Sequence, residues 1–400
     1  MAVTVNGTGC SLIDYLYTDI DFKGTTFSQY QSQRPGDGGL SPGRLVFADE
    51  FEKFAGIDFQ KAAENIAGGR PPDFTNLGGP AIVALINAAQ LLEKKDIAVR
   101  FFGGLGNDES GKRILDIVKR TPVNIDHYIS TSGASPSTIV FSDPNYDNGN
   151  GERSFINNIG PAWNYGPENL DKEFFAADIV LFGATGLVPR LHDSLTDLLS
   201  RAKENECITL VTTAFDFRNE KKSPDTRWPL GESDKSYEMT DLLITDLEEA
   251  LRLSGTESAE DALSFFRDKG AGACIVTGGS NDIALYSEGK LFTKTDILYL
   301  PVSERIGKEL KAGRFRKGDT TGCGDNFAGG VLASTAEQLL LSAGRNNHDL
   351  IEAVSWGVVS GGFALSHIGG TYIESAEAEK RSILEEYYKE YRQQISEVIK

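Results

Sequence analysis

Two hydrophobic periodicities share this chain. Short apolar runs recur along it, and between them apolar residues return every three or four positions. The runs AVTVNGTG (2–9), DIAVRFFGG (96–104), DIVLFGA (178–184), ITLVTTAF (208–215), DLLITD (241–246) and ACIVTGG (273–279) predict strands. PAIVALINAAQLL (80–92), SGKRILDIVKR (110–120), LHDSLTDLLSRAKEN (191–205) and AEDALSFFRDKG (259–270) predict helices. Wholly apolar strands alternating with helices imply a mainly parallel sheet covered on both faces, an α/β fold.

Two stretches do not fit that sheet. Residues 16–75 are polar and rich in Gly and Pro. They hold the loop-like SQRPGDGGLSPGR (32–44) and one short helical pattern, DEFEKFAGI (49–57). A segment this long and irregular reads as a lid or an insertion. Residues 123–160 read as strands and turns, including STIVFSDPNYDNGNGERSFI (137–156). Together the two stretches predict a small separate sheet over the large one. The tail, roughly 376–400, carries Ile383, Tyr387, Tyr391, Ile395 and Val398 on one side and predicts an amphipathic helix packed on its own chain. The expected organisation is a single domain over 1–400.

Composition narrows the chemistry. The 400 residues carry 40 Lys+Arg against 58 Asp+Glu, a net charge of −18. Nucleic acid and anionic membrane surfaces attract basic proteins, so neither is an expected partner. A phosphate site in such a chain has to be local, made of backbone N–H groups, a helix end or a metal. Cys10, Cys207, Cys274 and Cys323 are scattered without metal-ligand spacing, which fits a reducing cytoplasm. No apolar run is long enough to span a bilayer, and the first residues lack the pattern of a secretory signal.

Several glycine-rich turns compete as the phosphate site. Gly106 to Gly111-Lys112 has the P-loop spacing, but Arg113 stands where the magnesium-binding hydroxyl belongs, and Asp108 and Glu109 would lie in the cradle. GTGCSL has Leu12 where the third glycine of a dinucleotide fingerprint belongs, so a nicotinamide enzyme lacks its full signature. His127, His192, His348 and His367 are isolated and form no triad.

The remaining turn is KGDTTGCGDNFAGG (317–330), ahead of an apolar helical run. Gly322 and Gly324 allow backbone N–H groups to point into one concavity, with a helix starting at about Asp325. A helix N-terminus with such a nest is an anion hole that needs no lysine. Asp325 at its edge either caps the helix or takes a proton from an attacking hydroxyl.

The string Asp319-Thr320-Thr321-Gly322-Cys323-Gly324-Asp325 resembles the DTxGAGD motif of the ribokinase-like (PfkB) carbohydrate kinases, with Cys323 in place of alanine. Other segments resemble that family in the same order: Gly9 and Asp14 in GCSLID, Gly78-Gly79 after Asn76-Leu77, GGLGNDESGK, Arg153 in NGERSFI, Asp246 to Glu249, and Thr277 and Gly279 in IVTGGSNDIALY. The resemblance spans roughly residues 3–375.

The resemblance implies a three-layer α/β/α domain with a β-sheet lid and an ATP-dependent kinase acting on a sugar-like alcohol. Asp325 would be the general base, and the N–H groups of Gly322, Cys323 and Gly324 the anion hole. Asp246 and Glu249 would hold magnesium through water. Thr277, Gly279 and Thr320 would lie on the nucleotide side, and Asp14, Gly78, Gly79 and Arg153 on the acceptor side. A monovalent cation such as K+ near Asp319 and Thr321, a homodimer formed through lid strands, and a cytoplasmic location are further implications. Two positions depart from the pattern. Val83 replaces an asparagine that contacts sugar, and Asp246 replaces the first residue of an Asn-x-x-Glu motif, adding a negative charge. A nucleoside kinase of the same family, or a binding protein without catalysis, remain as alternative readings.

Overall fold

The computed structural model describes residues 2–34, 36–149, 152–314, 320–342 and 344–398. Among the described residues, fourteen strands form two sheets. In chain order they are β1 (Val3–Gly9), β2 (Leu12–Tyr17), β3 (Leu45–Phe47), β4 (Phe74–Gly78), β5 (Ile97–Gly106), β6 (Asn124–Thr131), β7 (Ser137–Asp143), β8 (Glu152–Asn158), β9 (Ile179–Gly183), β10 (Ile208–Thr212), β11 (Leu242–Asp246), β12 (Ala273–Thr277), β13 (Ile283–Ser287) and β14 (Thr295–Leu300).

The large sheet runs β14-β13-β12-β11-β10-β9-β1-β5-β6. It is parallel from β12 to β6 and antiparallel at the β12-β13-β14 edge. Side chains leave a strand alternately to its two faces. Ile179, Leu181, Leu242, Ile244, Ala273 and Ile275 therefore enter one core, which also holds the helices Pro80–Leu92, Cys323–Leu341 and Leu350–Ala364. Val180, Phe182, Leu243, Cys274 and Val276 enter a second core, against the helices Leu195–Glu204, Leu247–Ser254 and Ala259–Asp268. The result is the expected three-layer α/β/α arrangement.

The small sheet runs β3-β8-β7-β2-β4. Tyr17, Phe141, Ile156 and Val46 on its outer face pack on Phe27, Phe51, Phe59 and Ile66 in a third core. The 16–75 segment thus carries its own apolar cover, including a helix Phe59–Ile66 that the sequence reading did not foresee. Asp58 caps that helix, its Oδ1 accepting the N–H groups of Gln60 and Lys61.

Two expectations are corrected. The stretch 123–160 divides, because β6 pairs in parallel with β5 at the edge of the large sheet and only β7 and β8 join the small one. The helix expected from about Asp325 starts at Cys323, which puts Asp325 inside its first turn.

The tail folds as the helix Glu379–Gln394. It lies on its own chain, with Leu384, Tyr391 and Ile395 in the first core. Among the described residues, no helix is long and apolar enough to cross a membrane.

Candidate active site

The order of the large sheet reverses at β1, with β5 on one side and β9 on the other. In open α/β sheets, ligands bind beyond the carboxyl ends of the strands at such a switch point. Here the backbones meet closely. Gly9 has φ +141°, and a Cβ on it would lie 1.9 Å from the Gly183 carbonyl oxygen. From Gly9 the chain enters β2, which brings Asp14 of the small sheet over the switch point.

Asp14 belongs to a polar row. The strand registers place Asn76, Asp14, Thr138 and Asn157 side by side across β4, β2, β7 and β8, with Phe47 of β3 at the end. Partners in register share a face, so this row lies opposite the third core. Asn157 Nδ2 donates to Thr138 Oγ1 at 3.1 Å. Gly78 lets the Asp14 carboxylate lie on its backbone, since a Cβ there would be 2.2 Å from Asp14 Oδ2. Gly79, with φ +98°, starts the helix Pro80–Leu92, and its Cα points at the Cys10 carbonyl. Cys10 reports the local charge: burial, then Asp14 and Asp325, push its thiol up to about 12.

The loop before the helix Cys323–Leu341 faces this row. Gly322 is the N-cap, in the left-handed region with φ 76°, and a Cβ on it would meet Gly370 Cα at 2.5 Å. As a glycine it makes no side-chain cap bond to the helix. The Cys323 N–H points back to the Thr320 carbonyl at 3.3 Å. At Gly324 a Cβ would meet nothing within 4 Å, so the first turn is open there. The half-buried Asp325 carboxyl is pushed up by burial to about 7. That places a carboxyl group that titrates near 7 in the first turn of a helix whose N-cap is a glycine, an arrangement suited to accepting a proton where helix N–H groups favour an anion.

Arg153 of β8 reaches the same loop. Its Nη2 donates to Thr320 Oγ1 at 2.7 Å and its Nη1 donates to Thr321 Oγ1. Asp319 lies outside the described residues.

At the carboxyl end of β11, Asp246 caps the helix Leu247–Ser254, its Oδ1 accepting the Glu249 N–H at 2.8 Å. Thr213 Oγ1 donates to Glu249 Oε2. Burial raises the Asp246 carboxyl above its ordinary range. Burial followed by the neighbouring Asp246 charge raises Glu249 further, and Asp325 adds to the effect. The buried Glu249 carboxyl, whose charge the exposed Asp246 disfavours, forms with it a donor pair that fits a divalent cation. A pair rather than a full cage suits magnesium, which keeps much of its water. Thr277 stands opposite Asp246 in the β11–β12 register, and Gly279 follows with φ 63° and open space beside it.

The fold thus gathers Asp14, Gly78, Gly79, Arg153, Thr320, Thr321 and Asp325 at one end of the crevice. Asp246, Glu249, Thr277 and Gly279 lie along the neighbouring strand ends. Sequence reasoning passed over Thr138, Asn157, Thr213 and Asn326. Asn326 is buried; its Nδ2 donates to the carbonyls of Gly322 at 2.9 Å and Gly370 at 2.8 Å, and its own carbonyl accepts from Asn87 Nδ2 at 3.1 Å. Its place directly after Asp325 was the one available signal.

Comparison with known proteins agrees with this architecture. The sequence matches the pfkB family of carbohydrate kinases over residues 57–377. No curated protein sequence matches it. Among solved structures, a probable sugar kinase from Rhizobium etli CFN 42 is 19% identical, with 96% of this chain and 100% of that one covered and a TM-score of 0.67. The Anopheles gambiae adenosine kinase, solved with P1,P4-di(adenosine-5) tetraphosphate, is 18% identical over 89% of this chain and 93% of that one, TM-score 0.62. Ribokinase from Thermotoga maritima is 17% identical over 97% and 100%, TM-score 0.61. At such identities these structures speak for the fold alone.

The fold and the crevice define a ribokinase-like phosphotransferase. The chain belongs to the pfkB family of carbohydrate kinases, a family whose chemistry implies ATP.

Proposed function

We propose that this protein transfers the γ-phosphoryl group of Mg-ATP to a hydroxyl of a sugar-like acceptor. The observation that carries this reading is Asp325: a carboxyl pushed up to about 7, in the first turn of a helix with a glycine N-cap and close enough to Asp14 for both charges to act on Cys10.

Phosphoryl transfer needs positioning, neutralisation of charge and a base. Asp14, Thr138 and Asn157 of the row offer carboxylate, hydroxyl and amide groups to a polyhydroxylated acceptor, while Asn76 at its edge is tied to the carbonyls of Ile368 and Thr371. Asp325 takes the proton of the attacking hydroxyl. The first turn around Gly322 and Gly324 supplies N–H dipoles to the oxygens of the moving phosphoryl group, where donors aimed at developing charge act most strongly; the Cys323 N–H is turned to the Thr320 carbonyl and would have to leave it to join them. Thr277, Gly279 and Thr320 line the nucleotide side. Asp246 and Glu249 would hold magnesium through water, and the ion would neutralise charge on the phosphates. Arg153 draws the small sheet onto the loop, so this sheet acts as a lid that keeps water, the competing acceptor, out.

A second reading has its own observation. The polar row ends on Phe47, whose ring meets Phe217 of the large domain edge-on with centroids 5.6 Å apart. An aromatic pair beside a hydroxyl-binding row suits a nucleoside acceptor.

The test is a panel of sugars and nucleosides with Mg-ATP, followed by ADP release. Release with one acceptor that is lost in Asp325→Asn supports the kinase. Binding of ATP without turnover on any acceptor would support a non-catalytic role. NADH binding without ATP binding would sink both kinase readings.

A further inference from the structure

The helix Glu379–Gln394 carries an apolar stripe through Leu384, Tyr387 and Tyr391, and Lys380 falls on that stripe, seven residues before Tyr387. A lysine there is not solvated: it is 1% exposed. Its Nζ donates to Asn326 Oδ1 at 3.0 Å and to Gln90 Oε1 at 3.2 Å. Phe363 and Tyr372 stand about its ammonium, with ring centroids 5.9 and 6.0 Å away. Burial pushes the group down to about 7, opposed by Glu374, while burial and then the lysine hold His367 down. Lysines are almost never fully buried unless partnered, because desolvating the ammonium is unfavourable. A buried lysine whose partners are two neutral amides therefore calls for an explanation beyond packing.

Asn326 supplies it. Lys380 occupies the asparagine's oxygen and so fixes which end of the amide is the donor. The Nδ2 end then faces Gly322 O and Gly370 O, 2.9 and 2.8 Å away. Gly322 is the left-handed N-cap of the helix that carries Asp325, and it packs directly on Gly370. The side-chain chain Lys380–Asn326–Gly322 thus runs from the tail helix to the turn that orients the first helical N–H groups.

We infer that Lys380 is a positioning residue: through Asn326 it sets the Gly322 turn, and with it the anion hole and Asp325. This rests on the kinase reading for its catalytic consequence, but the positioning itself is readable without turnover. It also gives the tail helix a task inside the site.

The experiment compares Lys380→Met with Arg381→Met in the full chain. Arg381 belongs to the same helix, and its bonds among the described residues go to Glu337 at 2.8 Å, Glu385 and the Leu91 carbonyl. Two readouts are taken: amide hydrogen exchange of residues 322–326, and kcat with KM for the best acceptor. In Lys380→Met we expect exchange of the loop to rise about tenfold relative to the rest of its helix, and kcat to fall about tenfold or more with KM within about threefold. In Arg381→Met we expect a lower melting temperature with both readouts unchanged. Asn326→Ala should reproduce the Lys380→Met pattern, and it decides the matter if Lys380→Met is not recovered folded. Unchanged loop exchange in a folded Lys380→Met overturns the inference. So does an equal response in Arg381→Met, or failure of both Lys380→Met and Asn326→Ala to fold, which would assign the pair to the core alone. Faster loop exchange in a protein whose wild type phosphorylates nothing would defeat the kinase reading and leave the positioning intact.

Discussion

Arg153 Nη2 donates to Thr320 Oγ1 at 2.7 Å across 167 residues of chain, joining the small sheet to the loop that opens the helix Cys323–Leu341. Its other terminal nitrogen donates to Thr321 Oγ1, so the guanidinium spans both hydroxyls. Arg153→Met keeps the stem and removes both bonds. We expect kcat/KM to fall about tenfold to a hundredfold, since small misplacements of a reacting group are expensive. Hydrolysis of ATP without acceptor should rise relative to transfer, measured as ADP released per acceptor phosphorylated.

Gly78→Ala should damage acceptor binding specifically. The new Cβ would lie 2.2 Å from Asp14 Oδ2, so the carboxylate has to move out of the polar row. Overpacking of this kind costs about 1–3 kcal/mol of stability. The expected signature in steady-state kinetics is a raised KM for the acceptor with KM for ATP unchanged.

Asp325 links activity to stability through pH. Its carboxyl titrates near 7 in the folded chain, against about 4 for an aspartate in an unfolded one. Between those values the folded chain keeps a proton that the unfolded chain has released, so this group's contribution to stability falls as pH rises through the window. Activity should move the opposite way, with kcat rising toward a plateau above about pH 7 as the base becomes free. Asp325→Asn should lose on the order of 10²–10⁴-fold in kcat and be more stable than wild type in urea at about pH 8, with little difference near pH 4. A variant that loses activity and is also less stable at the higher pH would contradict this.

Glu249→Gln probes the paired carboxylates. It removes a buried charge that Asp246 already disfavours, so the protein without ligands should melt higher above neutral pH. The half-saturating magnesium concentration for ATP turnover should rise about tenfold. Chelation by EDTA should abolish turnover in both proteins, and added magnesium should restore it.

Much of this molecule was legible in its sequence because the central strands β9 to β12 are largely apolar and buried. A run such as DLLITD has two buried faces, and only a covered parallel sheet supplies them. The helix 80–92 was legible from its punctuation, Gly79 with Pro80 at its start. The strand β6 was not. NIDHYIST alternates and is half exposed, as an edge strand of either sheet would be, and its partner β5 is chosen by contacts no local pattern records. The helix 59–66 hid among glycines and prolines, with Asp58 as its single marker.

The site divides the same way. Asp325, Gly322 and Gly324 stand in one contiguous string, so spacing revealed them. The row Asn76, Asp14, Thr138 and Asn157 draws on four strands, and register, a property of the sheet, makes neighbours of them. Lys380 could have been seen as the one charge on an apolar stripe, but nothing in the tail names Asn326 as its partner.

The polar ties of residues 366–372 have a consequence for biosynthesis. Asn76 Nδ2 donates to the carbonyls of Ile368 and Thr371, and Thr371 Oγ1 donates to the Leu77 carbonyl. A ribosome delivers Asn76 and β4 early, then makes nearly three hundred more residues before their partners emerge. Until residues 368–371 are made, the Asn76 amide and the Leu77 carbonyl lack these partners. The edge of the crevice beside β4 is therefore completed by a segment that arrives long after the strand it ties down.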